Sequence, residues 1–453
     1  EDTMADYRNT RVSIIGAGMG GLTAALAFAR KGFKRIDVYE NAPALGFVGA
    51  GIQIAPNLIR VLDRLDIWQD SAIAREATNV KEVLVLDGPT NDELARVQMI
   101  DVSQKYGYAH HAGHRASLAG GIYDAAKAEP AVHFHFGHTF EAVSSFGPGP
   151  VHFVVKDEGE VRQFLQTDIL IGADGIKSAV RDSLLSGLDL SAESEETGTS
   201  AYRILVDREQ MVADPELLSL IDSDVVRRWT GPRRHLIAYP VHNHTIYNIA
   251  TTQPDVNFAG PTNTAWSTKG DKTAMKAVFA DFCPLVQKLL DLAPEGDVVE
   301  WRLRSHKPLG TWTRGAVALL GDACHPTLPH VAQGAAMAIE DAACLAEIVS
   351  LGLGTGFDSE TIPRSLKAYE RLRKPRTSSI VDLAAASARS LHLQDGEAKK
   401  ERDRQFAAAK TKGAPVPDKW VSPEVQQMVY GHDCVQDARE RFAGLFRGHD
   451  SRL

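Results

Sequence analysis

Apolar residues along this chain fall into two periods. Val12, Ile14 and Ile15 form a short β-branched run that predicts a buried strand. The alanine-rich stretch 22–29 predicts a helix, and residues 35–39 predict a second strand that ends in Glu40. Between residues 184 and 296 apolar and polar positions alternate. Residues 202–206, 235–239 and 245–251 read as strands with no helical pattern between them, which predicts one mostly antiparallel sheet. A further strand is expected over 316–320, then a loop and a helix over 333–350. From about residue 365 the pattern is largely helical. The mixed charges over 399–404 fit a solvated helix face, and 413–417 reads as a loop. No internal repeat or long low-complexity stretch interrupts this order.

Length and charge narrow the picture. A chain of 453 residues exceeds one ordinary core. The pattern divides it at 8–183, 184–296, 297–352 and 353–453, with the first and third sections expected to form one domain. A net charge of −8 argues against a nucleic-acid partner. Cys283, Cys324, Cys344 and Cys434 lack metal-ligand spacing and read as free thiols of a reducing compartment. No apolar run is long enough to span a bilayer, and the polar start is unlike a secretory leader, so a cytoplasmic protein without a membrane partner is expected. Met4 is a candidate native start. Oligomeric state is left at monomer or homodimer.

The chemistry starts where the first strand meets Gly16-Ala17-Gly18-Met19-Gly20-Gly21. In this pattern Gly16 permits a tight turn, Gly18 lets the backbone approach a pyrophosphate, and Gly21 lets helix and strand pack closely. The helix N-terminus offers free N–H groups and a positive dipole end to phosphates. Glu40, at the end of the next strand, can accept from the hydroxyls of an adenosine ribose. Strand, glycines, helix and acid together predict a bound dinucleotide in a Rossmann-like unit.

Two later segments complete a set. One is Asp174-Gly175, at the end of a strand-to-turn signal over 167–175; the other is Gly321-Asp322, followed by His325-Pro326, Pro329 and Gln333-Gly334-Ala335. In order and spacing the three segments resemble the signatures of the single-component FAD-dependent aromatic hydroxylases, and the stretch from His325 to Asp341 looks most like the salicylate hydroxylase branch with its fungal members. The resemblance implies an α/β fold: a Rossmann-like FAD-binding domain, an interleaved sheet-rich substrate domain and a helical C-terminal segment. It also implies that Gly51, Gln53, Arg115, Asp174, Gly175, Asp322, Pro329, Gly334 and Ala335 serve the FAD, with Asp174 and Gly175 also serving a transient NADH or NADPH. Asp322 stands where a carboxylate can accept from a ribityl hydroxyl. Unpaired N–H groups at the helix opening on Gly334 suit negative charge on reduced flavin.

The resemblance further nominates Arg203, His235 and Tyr239 as catalytic. By strand alternation His235, Ile237 and Tyr239 share a face. Arg203 can pair with a substrate carboxylate or phenolate, His235 can take a phenol proton from its ordinary pKa near neutrality, and Tyr239 can orient the ring. The implied reaction hydroxylates a phenolic acid with dioxygen through a C4a-hydroperoxyflavin, with salicylate or a hydroxybenzoate as substrate and oxidative decarboxylation as an option. Rivals are a non-decarboxylating or dearomatising hydroxylase of a larger metabolite, a flavin-dependent halogenase or reductase, and a catalytically silent flavoprotein. The chain lacks a Trp-x-Trp-x-Ile-Pro segment, which counts against the halogenase. His110, His111, His114, His133 and His135 are read as structural, and no metal is expected. Trp301, Trp312 and Trp420 are expected in cores or interfaces.

Overall fold

The computed structural model describes residues 6–47, 49–256, 267–295, 297–409, 417 and 422–448. Most of the expected 413–417 loop, and Trp420, lie outside the described residues.

The predicted first strand forms at Arg11–Ile15 and lies at the centre of a six-stranded sheet. It pairs in parallel with Ile169–Gly172 on one side and Arg35–Glu40 on the other. Val317–Leu319 and Val132–Phe136 extend the parallel set. These strands are apolar on both faces because the helix Met19–Arg30 covers one and the three-stranded sheet of Thr139–Ser145, Val151–Lys156 and Arg162–Thr167 packs against the other, and Val12, Ile14, Ile36, Ile171 and Val317 are fully buried. The first helix, Met19–Arg30, packs against the long helix Gly334–Thr355. Alanines such as Ala24 and Ala25 are fully buried there, and small side chains let helices approach closely.

The middle sheet has eight strands and is antiparallel except where Val225–Gly231 runs parallel to Glu82–Asp87. It crosses the boundaries drawn from the pattern. Glu82–Asp87 and Glu93–Gln98 come from the first section and Asp297–His306 from the third, yet all three hydrogen-bond into this sheet. The linear cuts at 183 and 296 are therefore corrected: strand pairing joins segments that sequence order separates.

One face of the middle sheet is apolar. Leu236, Ala238, Tyr202, Ile204 and Ile249 point from it into a core shared with Met275, Phe279 and Phe282. Alternation turns Arg203, His235, Ile237, Tyr239 and Asn248 to the opposite face. That face meets the nucleotide unit. The long helix Thr361–Leu391 packs on Gly334–Thr355 as part of the C-terminal segment, and the charged stretch 399–404 lies within the helix Glu397–Ala409. Among the described residues, no helix is long and apolar enough to cross a membrane.

Candidate active site

The turn after the first strand is as tight as its glycines require. Gly16 has φ +102°, and a Cβ there would stand 2.4 Å from Ala173 O. At Gly21 a Cβ would stand 2.0 Å from Gly16 O, so only glycine lets the helix seat on the strand. Gly18 is different: nothing lies within 4 Å of its Cβ position, and it opens on a cleft of about 410 Å³. Glu40 closes the turn from below, accepting Ala17 N at 2.8 Å and Ala42 N at 2.9 Å.

Gly51, Gln53, Arg115, Gly175, Asp322, Pro329, Gly334 and Ala335 all line this cleft. So do Arg203, His235 and Tyr239. The fold thus brings all three sequence signatures to one face of the middle sheet. The separate strand Gly51–Ile54 is stitched to the middle sheet where Gly51 N donates to Asn248 Oδ1 at 2.7 Å. A Cβ on Gly51 would lie 2.3 Å from Asn248 Cγ.

Asp174 stands behind the cleft. Its carboxylate accepts Ser178 Oγ at 2.5 Å and Val180 N at 3.1 Å, capping the helix Ala179–Leu185. It holds the turn that presents Gly175. Arg181, from the same helix, donates to Ile176 O at 3.0 Å and Ala323 O at 3.3 Å, tying this turn to the Asp322 turn.

A buried ionic network sets the Asp322 turn. Asp341 Oδ2 accepts Gly321 N at 3.0 Å and also His325 Nε2. Asp341 Oδ1 accepts Arg373 Nε at 2.7 Å. Glu340 pairs with Arg373 at 2.8 Å and Arg376 at 2.9 Å, and accepts Asn57 Nδ2 at 2.8 Å. Burial pushes both carboxyls up, but the neighbouring cations outweigh it and hold both below the usual range. Asp322 itself faces the cleft with its pKa raised, mainly by burial, against the opposing pull of His325 and Arg115.

These residues fit an FAD. The helices opening at Met19 and Gly334 have no side-chain cap on their free N–H groups, and both ends reach the cleft. Asn248 Nδ2, in the cleft wall, and Gln333 Nε2, beside the second helix end, are buried without a hydrogen-bond partner.

Around the substrate end the charges are distinctive. Arg203 extends into the cleft over the Trp301 ring, 5.8 Å from its centroid, and no carboxylate pairs with it among the described residues. Burial, then Arg115, lowers its pKa. Tyr239 is buried and its pKa raised, so its hydroxyl stays a donor. His235 departs from the sequence expectation of an ordinary pKa. Burial first, then His392, Arg228 and His330, push it well below neutrality, and the ring is neutral.

Arg228, Asn248, His330 and His392 were missed by sequence reasoning. Arg228 and Asn248 alternate on the two strands that flank the His235 strand, a weak signal; His330 and His392 come from a turn and a helix end and carried none. His235, His330 and His392 bring ring nitrogens within 4.8 Å of one another, as do ligand atoms of Cys324, His325 and Asp341. The Arg228 cation beside the first group opposes a metal ion, and Arg373 already satisfies the second. Trp312 is buried against His325, and His135 pairs with Asp37 at 2.7 Å, both structural roles.

A family model described as "FAD binding domain" matches residues 9–384. The "FAD-dependent monooxygenase ntnJ" of Nectria sp is 32% identical over 405 residues, 88% of this chain and 89% of that protein. The 3-hydroxybenzoate 6-hydroxylase of Polaromonas naphthalenivorans (strain CJ2) is 31% identical, over 85% of this chain and 89% of its own. A solved salicylate hydroxylase substrate complex superposes with a TM-score of 0.74 at 22% identity, over 96% of this chain and 98% of its own, and supports the α/β fold. With its three nucleotide turns meeting in one cleft, the chain belongs to the FAD-dependent monooxygenases built on this FAD-binding domain.

Proposed function

We propose that the protein hydroxylates a phenolic aromatic acid, with NADH or NADPH as reductant and dioxygen as co-substrate. The observation that carries this reading is the polarity of the cleft. Arg203 and Tyr239 lie within electrostatic reach of each other, and His235 sits four residues from Tyr239 on the same strand face. At about 3.3 Å per residue the two positions are ~13 Å apart along the strand, so the two side chains address opposite ends of a bound ring. Arg203 and Tyr239 hold the carboxylate by a charge-assisted bond and a donated O–H. His235 meets the hydroxyl at the other end and takes its proton, which raises electron density in the ring.

That separation favours a hydroxyl distant from the carboxylate, as in 3- or 4-hydroxybenzoate, over the adjacent pair of salicylate. The hydroxybenzoate relative supports the same class. Bound FAD supplies the oxygen-transfer chemistry. The chain's residues hold the ring against it, exclude water and move the proton. Gly18, Arg115, Asp322, Gly334 and Ala335 are the residues that hold the cofactor, with Asp174 positioning the Gly175 turn. The four cysteines are buried and free, in keeping with a cytosolic enzyme.

A panel of hydroxybenzoates tests the reading. The expected result is phenol-stimulated NAD(P)H oxidation with a product sixteen mass units heavier than its substrate, ~16 Da being one added oxygen under the cofactor's chemistry. Carbon dioxide release would instead assign oxidative decarboxylation. Unstimulated oxidation with every phenol would sink the proposal and favour a silent flavoprotein.

A further inference from the structure

A proton taken by His235 cannot stay there. The ring is 4% exposed, faces the Arg228 cation and is held neutral. Yet His235 Nδ1 lies 2.7 Å from His392 Nε2, with the ring centroids 5.0 Å apart. This leaves Nε2 of His235 as the nitrogen available to the cleft. His392 comes from a distant part of the chain, as the C-cap of the helix Thr361–Leu391. Its peptide oxygen accepts Arg233 N at 3.1 Å, which fastens that helix end to the turn before the His235 strand. His392 is half-buried, and residues 394–397 beyond it are exposed.

We propose that His392 is a positioning residue acting through His235: the pair forms a relay that carries the substrate's phenol proton from the cleft to solvent. This rests on the reading of the protein as a phenol hydroxylase. The phenol gives its proton to His235 Nε2, and His235 passes its Nδ1 proton to His392 Nε2. His392 releases its Nδ1 proton to water. The phenol loses one proton, solvent gains one, and neither ring keeps a charge. Reprotonation of the product hydroxyl by the reverse path restores both tautomers.

The surroundings favour passage over storage. Burial first, then the neighbouring His392 for His235 and His330, and Arg228 on the strand Val225–Gly231 for all three, lower His235, His330 and His392, the last two to about 3 and about 4. His330, on the turn Pro329–Val331, stands edge-on to both rings, at 5.4 Å from His235 and 5.6 Å from His392. On the outer side Arg402 of the helix Glu397–Ala409 donates to Leu391 O at 3.3 Å. None of these groups offers a carboxylate to trap the proton.

The test uses the FAD-loaded enzyme and its best hydroxybenzoate, in wild type, His392→Gln and His392→Ala. At neutral pH both variants should make at least about tenfold less product per NAD(P)H, with hydrogen peroxide making up the difference. The deficit should close as pH approaches the phenol's own pKa, about 10 for an unperturbed phenol, because the substrate then arrives ionised. Added imidazole should restore product in His392→Ala. FAD content and substrate-stimulated flavin reduction should match wild type. Wild-type coupling in both variants at neutral pH overturns the relay. So does a deficit that ignores both pH and imidazole, or loss of FAD from both variants, since either places His392 in the scaffold alone. A wild type that no phenol stimulates fails the functional reading itself, and the relay with it.

Discussion

Arg373→Met removes the cation at the centre of the buried network while keeping most of the side-chain volume. Arg373, Glu340 and Asp341 are each almost wholly buried, with side chains 1%, 0% and 0% exposed. Breaking a buried pair on one side costs about 3–5 kcal/mol, because the remaining charge loses its partner but not its desolvation. Two carboxylates lose a partner here, but Glu340 keeps Arg376 and Asn57, and Asp341 keeps His325 and Gly321 N. That points to the low end, about 3 kcal/mol. With an unfolding entropy of about 1 kcal/mol/K for a chain this size, the melting midpoint should fall by about 3 °C if the protein melts as one unit. Flavin release should respond more strongly, because Asp341 holds the Asp322 turn directly. Melting followed by circular dichroism, with flavin fluorescence in the same scan, checks both. The pH dependence has a definite sign. Both carboxyls are held below their unfolded values, so they stabilise the wild type above about pH 4 and that contribution is lost as pH falls below it. The variant should lose less on acidification. An unchanged midpoint together with unchanged flavin release would refute the role given to this network.

Three further outcomes are expected. Gly21→Ala drives a Cβ into Gly16 O and should abolish FAD retention, whereas Gly18→Ala meets no protein atom and should leave the melting of the FAD-free protein unchanged while weakening FAD, as read by absorbance per protein. Arg203→Ala should raise KM for a hydroxybenzoate roughly ten- to hundredfold with FAD content unchanged, since a charge-assisted bond contributes about 1.5–3 kcal/mol, and Arg203→Lys should recover little of it; an unchanged KM would place the carboxylate elsewhere. His235→Ala should slow product formation by roughly 10²–10⁴ while NAD(P)H is still consumed and peroxide accumulates, and an oxygen electrode with catalase added would show it.

The sequence by itself determined what local geometry dictates. Gly16 and Gly21 are required by contacts within a few residues of the chain or across one strand pair, so the dinucleotide turn, its strand and its helix could be read directly. Period-two alternation likewise put His235 and Tyr239 on one face, and the resemblance supplied the cleft around them. Tertiary structure decided the rest. Sheet pairing carried residues 82–98 and 297–306 into the middle sheet, which no linear division anticipates, because hydrogen bonding between strands ignores sequence distance. Asp174 proved to cap a helix behind the cleft, because a carboxylate beside free N–H groups binds them first. The neutral state of His235 follows from burial and from Arg228, His330 and His392, which reach it from three other elements of the chain. A side chain's pKa is set by everything within a few ångströms, and only the folded chain determines what that is.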